Sequence, residues 1–201
     1  MRSIYCGCCA YCECKPEAGS SFEIEHFYPK GNPQFEKFRK DIRNLHYACR
    51  ACNTKKASKW DEKLLSPNYF VRNGVWVETS PKEIESRIRY NAFLLTTPDT
   101  DDGMGRFTIN KLGLNTRPYL VENRIRCISN VTRLIYVIYQ LLSDIHNHGL
   151  TCDRQRKSLN LLFGLLVTYI KDDAEYSTMI LQNYGSTIIL LLKIWHEIDD
   201  N

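Results

Sequence analysis

Cys9-Ala10-Tyr11-Cys12, then Phe22-Glu23-Ile24-Glu25-His26-Phe27, then Cys49-Arg50-Ala51-Cys52 is the stretch whose reading decides the fold of this chain. Two residues separate the cysteines of each pair, a spacing that lets both sulfurs of one turn face a single metal ion. Two such turns complete a tetrahedron around Zn²⁺. A closed thiolate tetrahedron leaves no coordination position for a substrate, so this zinc is expected to be structural and to contribute folding energy. Cys6 with Cys9 is also a CxxC, and Cys8 and Cys14 are spare thiols nearby. Cys9 with Cys12 is preferred because it lies nearest the following strand, with Cys6 open as the alternative. Residues 22–27 alternate apolar and polar with period two and predict a strand, whose end is punctuated by Pro29, Gly31, Asn32 and Pro33. Asn44–Ala48 reads as a second strand, and the residues from Asn53 to Trp60 as a helix starting just after the second pair. Strand, loop, strand and helix built on one zinc make a small metal-held module.

Working outward, the chain has nine cysteines, an odd number, and no apolar run after Met1-Arg2-Ser3-Ile4-Tyr5-Cys6. A secretion signal is therefore not expected, a cytoplasmic location is, and CxxC pairs in that setting favour metal over disulfides. Cys127 and Cys152 stand alone and are expected to be small buried hydrophobes. The longest apolar stretches, Leu159–Ile170 and Ser186–Trp195, are too short to span a bilayer and read as core helices. The formal net charge of +4 is unevenly placed: residues 1–60 hold 11 Lys+Arg against 6 Asp+Glu, and the remainder 16 against 17. Basic charge thus gathers beside the cysteines, as it would in a segment that approaches a polyanion.

Downstream, Leu65–Val77 reads as a connector that can contain a hairpin. Pro81 suits a first helical position, and Ile84, Ile88, Ala92 and Leu95 follow at helical spacing. Thr97–Gly105 is rich in Asp and Gly and reads as a loop. Leu120–Leu142, Asp153–Lys171 and Ala174–Glu197 predict three amphipathic helices. The expected architecture is α+β: a zinc-held module over residues 1–66, then a mostly α-helical domain over 67–201 serving as scaffold, dimer contact or docking surface for a partner. Leu161–Ile170 and Ile188–Leu192 are apolar enough that part of that surface is a candidate for exposure.

Several residues between the cysteine pairs have chemistry to offer, and each has a plain structural alternative. A carboxylate followed directly by His puts the two side chains on opposite faces of a strand, so Glu25 can bind a metal while His26 stays free as a base; a solvated pair is the alternative. Asn44 suits a turn, and Asn53 suits a helix N-cap. His46 lies in the second strand, packed or exposed. Lys55, Lys56 and Lys59 fit phosphate contact or a solvated basic face equally well. His146, His148 and His196 have no partner pattern.

The run Cys9–Cys12, Ile24-Glu25-His26-Phe27-Tyr28-Pro29-Lys30, Asn44-Leu45 and Cys49-Arg50-Ala51-Cys52-Asn53-Thr54-Lys55-Lys56 resembles the HNH endonucleases. That resemblance covers roughly residues 9–60 and implies a ββα-metal module around one divalent ion. It implies further that His26 is the general base, that Glu25 is the metal-binding acid, that Asn44 steadies the loop carrying the base, and that Asn53 binds the metal. Lys30, Lys55, Lys56 and Lys59 would then contact nucleic acid, double-stranded DNA first of all. Two departures are the Glu where Asp is commoner and the Asn where the family name has His. A carboxylate and an amide oxygen suit a hard ion, Mg²⁺ or Mn²⁺, leaving Zn²⁺ to the thiolates. The implied reaction is phosphodiester hydrolysis; an RNA-cutting enzyme and a zinc-held binding module without catalysis are the competing readings.

Phe107-Thr108-Ile109-Asn110-Lys111-Leu112-Gly113-Leu114-Asn115 and Leu120-Val121-Glu122-Asn123-Arg124, with the Glu-His-Phe-Tyr-Pro-Lys run at residues 25–30, resemble the HNH subunit of Septu-type and retron-associated anti-phage systems. This second resemblance implies an ATPase partner of the SMC-like/ABC type, with the helical region docking that ATPase or a second copy of this chain.

Overall fold

A computed structural model of the chain describes all residues except 17–20, 59, 100, 151, 200 and 201. The chain divides into two compact units, Met1–Val121 and Glu122–Asn201. The sequence alone suggested a division between residues 66 and 67.

The first unit is built on an antiparallel hairpin of β1 (Phe22–His26) and β2 (Leu45–Cys49), paired from Phe22 opposite Cys49 to His26 opposite Leu45. Strand alternation sends Glu23 and Glu25 to one face and Phe22, Ile24 and His26 to the other. Helix α1 (Arg50–Lys56) follows β2 directly. It begins three residues earlier than the sequence suggested, because the second cysteine pair forms its first turn: Cys49 is the N-cap, and its Sγ accepts from the Cys52 backbone N–H at 3.5 Å. The N-cap position considered for Asn53 is thereby corrected; Asn53 lies inside the helix.

Between the strands, Phe35 and Phe38 of the turn Pro33–Phe38 are buried with Phe27 and Tyr28, and the rings of Tyr28, Phe35 and Phe38 meet Trp60 and Trp76 at centroid distances of 5.0–5.8 Å. Trp76 belongs to a second hairpin, β3 (Tyr69–Arg72) and β4 (Val75–Glu78), turned at Asn73-Gly74, both of which have positive φ. The Tyr28 hydroxyl accepts from the Val71 backbone N–H at 2.8 Å and ties this hairpin to the loop after β1.

The helix expected over Ile84–Leu95 is confined to α2 (Pro81–Glu85); Arg89–Asn91 (β5) and Leu94–Thr96 (β6) form a third hairpin, with Ala92 at φ +53° in its turn. A spacing of four fits a helix, but it is also two strand periods, and the turn decided the outcome. Helix α3 (Met104–Leu112) closes the unit. A Cβ on Gly105 would lie 2.1 Å from the Arg87 carbonyl oxygen, so α3 approaches that backbone only because a glycine stands there. Thr108 Oγ1 accepts from the Leu65 N–H at 2.9 Å, and the Asn115 amide bonds both backbone groups of Leu95 at 2.7 and 2.9 Å.

Helix α4 (Pro118–His148) begins in the first unit, and most of its length, with α5 (Asp153–Thr168) and α6 (Ser177–Asp199), forms the second. Its core contains Val131, Ile138, Leu159, Leu166, Met179, Ile180 and Ile188, each at most 2% exposed. Trp195 donates to Asn160 Oδ1 at 3.0 Å, the partner its indole N–H needs when buried. Leu161, Leu165, Ile189 and Leu190 are exposed. Cys152 is exposed and Cys127 half-buried, which corrects the expectation of two buried small hydrophobes; Cys152 is the N-cap residue of α5, outside its first turn. No helix among the described residues is long and apolar enough to cross a membrane.

Candidate metal centre and active site

The knuckle starts from local backbone. Cys9 N–H bonds to the Cys14 carbonyl at 2.8 Å and Glu13 N–H to the Cys9 carbonyl at 2.9 Å, with Glu13 at φ +60°. That turn faces Cys9 and Cys12 toward the end of β2. Ala10 N–H bonds to the Tyr47 carbonyl at 2.9 Å and Cys49 N–H to Cys9 Sγ at 3.3 Å, which fixes the turn on the strand. The sulfurs of Cys9, Cys12, Cys49 and Cys52 all lie within 4.8 Å of one another, every one of these residues buried. Cys12 and Cys49 Sγ are 3.8 Å apart. Four sulfurs each about 2.3 Å from one tetrahedral ion stand about 3.8 Å apart, so the cluster fits zinc. Cys6 is exposed and outside the cluster, while Cys14 Sγ accepts from Cys12 Sγ at 3.3 Å.

Arg117 extends toward the same sulfurs, with Nη2 3.3 Å from Cys52 Sγ and Nη1 4.0 Å from Cys49 Sγ. Burial opposes its charge, but the neighbouring thiols outweigh this and hold its pKa above the ordinary value. Four thiolates around Zn²⁺ carry a net charge of −2, and Arg117 supplies a counter-charge from outside the ligand shell. Nothing in the sequence around Arg117 signals this role, because 65 positions separate it from Cys52.

The face of β1 that carries Glu23 and Glu25 is oxygen-rich. Glu25 is 2% exposed. Its Oε1 accepts from the Tyr11 hydroxyl, and its Oε2 lies 3.1 Å from the Lys56 ammonium without a directed hydrogen bond. Burial and the Glu25 charge hold the Tyr11 phenol well above its ordinary pKa, so it stays a donor. Lys56, 1% exposed, also donates to the His26 carbonyl at 2.7 Å. The expectation that Lys56 touches nucleic acid is corrected by this: its ammonium is consumed inside the protein by Glu25. Burial lowers its pKa, and the Glu25 charge works against that shift.

Asn53 stands three residues before Lys56, hence on the same face of α1. Its Nδ2 donates to Glu23 Oε2 at 2.5 Å. The carboxylate that meets Asn53 is thus Glu23, whereas Glu25 is bonded to Tyr11 and Lys56. Glu23 was not singled out from the sequence, although its position two residues before Glu25 on a strand puts both on one face. The oxygen donors gathered there fit a hard divalent ion, and the thiolates fit zinc. His46, opposite Glu25 in β2, is fully buried with Nδ1 2.5 Å from the Tyr5 hydroxyl.

His26 ends β1 on the opposite face, partly exposed, with Nε2 3.1 Å from the Arg39 carbonyl oxygen. Asn44 is fully buried and spends its amide on backbone: Oδ1 accepts from Tyr28 N–H at 2.7 Å, and Nδ2 donates to the carbonyls of Tyr28 and Phe38, each at 3.1 Å. It therefore clamps both ends of the loop that follows His26. Lys30 and Lys55 are exposed, and Lys59 lies outside the described residues.

The HNH endonuclease family model matches residues 9–59, a span that takes in both cysteine pairs, both strands of the hairpin and α1. No curated protein and no solved structure matches the chain. Similarity to this family over that segment suggests metal-dependent nuclease chemistry on a nucleic-acid substrate.

Proposed function

We propose that the chain is an endonuclease that hydrolyses DNA phosphodiester bonds with His26 as general base. The observation that carries this reading is the imidazole held against the Arg39 carbonyl. A carbonyl oxygen only accepts, so in the neutral ring Nε2 keeps the proton and the Nδ1 lone pair is left for water. Water losing its proton to Nδ1 attacks phosphorus, and the leaving 3′-oxygen departs opposite. Asn44 fixes the loop from Tyr28 to Phe38, and so the orientation of the base relative to Arg39. A hard ion, Mg²⁺ or Mn²⁺, held by Asn53 and a β1 carboxylate, Glu25 by family position, supplies charge neutralisation at the phosphate when bound. Lys30 and Lys55 are exposed for phosphates of a duplex. Cys9, Cys12, Cys49 and Cys52 hold a structural zinc that keeps β2 and α1 in register.

Plasmid nicking with Mg²⁺ or Mn²⁺ tests this. His26→Ala is expected to cut about 10²–10⁴-fold more slowly than the unaltered chain. An unaltered chain that binds DNA as tightly as His26→Ala but never cuts it would leave only a zinc-held binding module. The same pair on structured RNA decides the RNA-cutting alternative.

The same reading includes control by an ATPase of the SMC-like/ABC type in anti-phage defence. Its support is the resemblance carried by residues 107–115 and 120–124 and the exposed apolar side chains Leu161, Leu165, Ile189 and Leu190. Cleavage measured with and without such an ATPase and ATP tests it; a rate indifferent to both would remove the role, and sedimentation of the chain alone shows whether a second copy takes that surface instead.

A further inference from the structure

We infer that Glu23, and not Glu25, supplies the carboxylate that joins Asn53 in holding the divalent ion. The assignment rests on the metal-dependent reading above and changes its ligand set.

Glu23 and Glu25 share the face of β1 that meets α1, so topology alone leaves both eligible. Their surroundings separate them. Glu25 accepts from the Tyr11 hydroxyl with one oxygen and has the Lys56 ammonium 3.1 Å from the other, an ion pair without a directed hydrogen bond, in a pocket that leaves the residue 2% exposed. An ion arriving there would meet a fixed positive charge and would shed nearly all its water, which Mg²⁺ does reluctantly. Glu23 is partly exposed, and among the described residues no Lys or Arg stands within ion-pair distance of it. Its Oε2 is 2.5 Å from the Asn53 amide nitrogen. A half-turn of that amide exchanges nitrogen for oxygen and brings a carboxylate and an amide oxygen to one point. Two hard ligands on partly exposed residues, with water free to complete the shell, is the coordination Mg²⁺ and Mn²⁺ accept. Glu25 then becomes a positioning residue: it neutralises Lys56, whose other bond holds the His26 carbonyl.

Mn²⁺ binding followed by loss of the free-ion electron paramagnetic resonance signal tests the assignment on the intact, zinc-loaded chain. Glu23→Gln should weaken binding by at least about 10–100-fold, the loss typical of even an outer-sphere partner, and Asn53→Ala should do the same. Zinc per chain and thermal midpoint of Glu23→Gln should match the unaltered chain. Because Glu25→Gln alone strands Lys56, the double variant Glu25→Gln with Lys56→Met is the comparison, and it should bind Mn²⁺ with less than the about 10-fold loss that marks removal of a ligand or its partner. Unchanged binding in Glu23→Gln, or lost binding in the folded double variant, overturns the assignment. No Mn²⁺ binding by the unaltered chain overturns the metal-dependent reading itself and this assignment with it.

Discussion

The two ends of one short hairpin make opposite use of polar side chains. Where Phe22 pairs with Cys49, four soft thiols are buried around one point; onward to His26, which pairs with Leu45, β1 presents an imidazole on one face and the carboxylates of Glu23 and Glu25 on the other, where Asn53 of α1 meets Glu23. The closed end suits an ion that never leaves, because every ligand comes from the protein. The open end suits an ion that exchanges, because water and substrate must complete its shell. Tyr11 joins them, rising from the first cysteine turn to bond Glu25. The oxygen-rich end is therefore positioned by the thiolate end and depends on it for its geometry.

That dependence can be broken in steps. Stripping zinc with a chelator, or Cys49→Ser, should unfold the first unit. Structural zinc contributes on the order of 10 kcal/mol in small modules, and metal analysis with far-UV circular dichroism reads the loss. A native spectrum without zinc would make the two ends independent. Glu25→Ala or Lys56→Ala should cost about 3–5 kcal/mol in urea unfolding, since each strands a buried charge. Glu25→Gln with Lys56→Met should recover most of that, and a double variant as unstable as the singles would mean that the pair is not the cause. Asn44→Ala leaves buried backbone groups of Tyr28 and Phe38 unpaired, at about 1–3 kcal/mol for such a group. It should also slow cleavage with base and metal ligands intact, which a variant of full activity would contradict.

The smaller effects sharpen the contrast. Burial first, and then the Lys56 charge, push the His46 imidazole down to about 3 from its ordinary 6.5. Between those values the unfolded chain holds a proton that the folded one does not, so this group makes stability fall as pH drops from 6.5 toward 3. Melting curves for His46→Gln should be flatter over that window than for the unaltered chain; parallel curves would show that carboxylates alone carry the acid sensitivity. His26→Ala, at a partly exposed strand end, should shift stability by less than about 0.5 kcal/mol while slowing cleavage about 10²–10⁴-fold. A large loss of stability in that variant would make His26 a structural residue.

Much of the first unit is legible in order of residues because its signals are local. The two CxxC spacings, the alternation over Phe22–Phe27 and the strand at Asn44–Ala48 each describe a few consecutive positions, and β1 and β2 fall within a residue of where they point. Burial was less legible. Lys55 and Lys56 are neighbours of one residue type, yet 100° of helix rotation puts one in solvent and the other against Glu25. The region 88–96 misled for a reason of its own, since four is a multiple of both a helical near-turn and a strand period.

The sequence by itself determined which side chains are present and along which short elements: soft sulfur in two turns, and an imidazole beside a carboxylate at the end of a strand. Only the tertiary structure decided which carboxylate is consumed by a lysine, which one meets Asn53, and that Arg117 answers the charge of the thiolates. Spacing along a chain fixes what one turn or strand can present. Pairing between side chains 30 to 65 positions apart is set by how burial, charge and hydrogen bonding are satisfied together, and no local period records that.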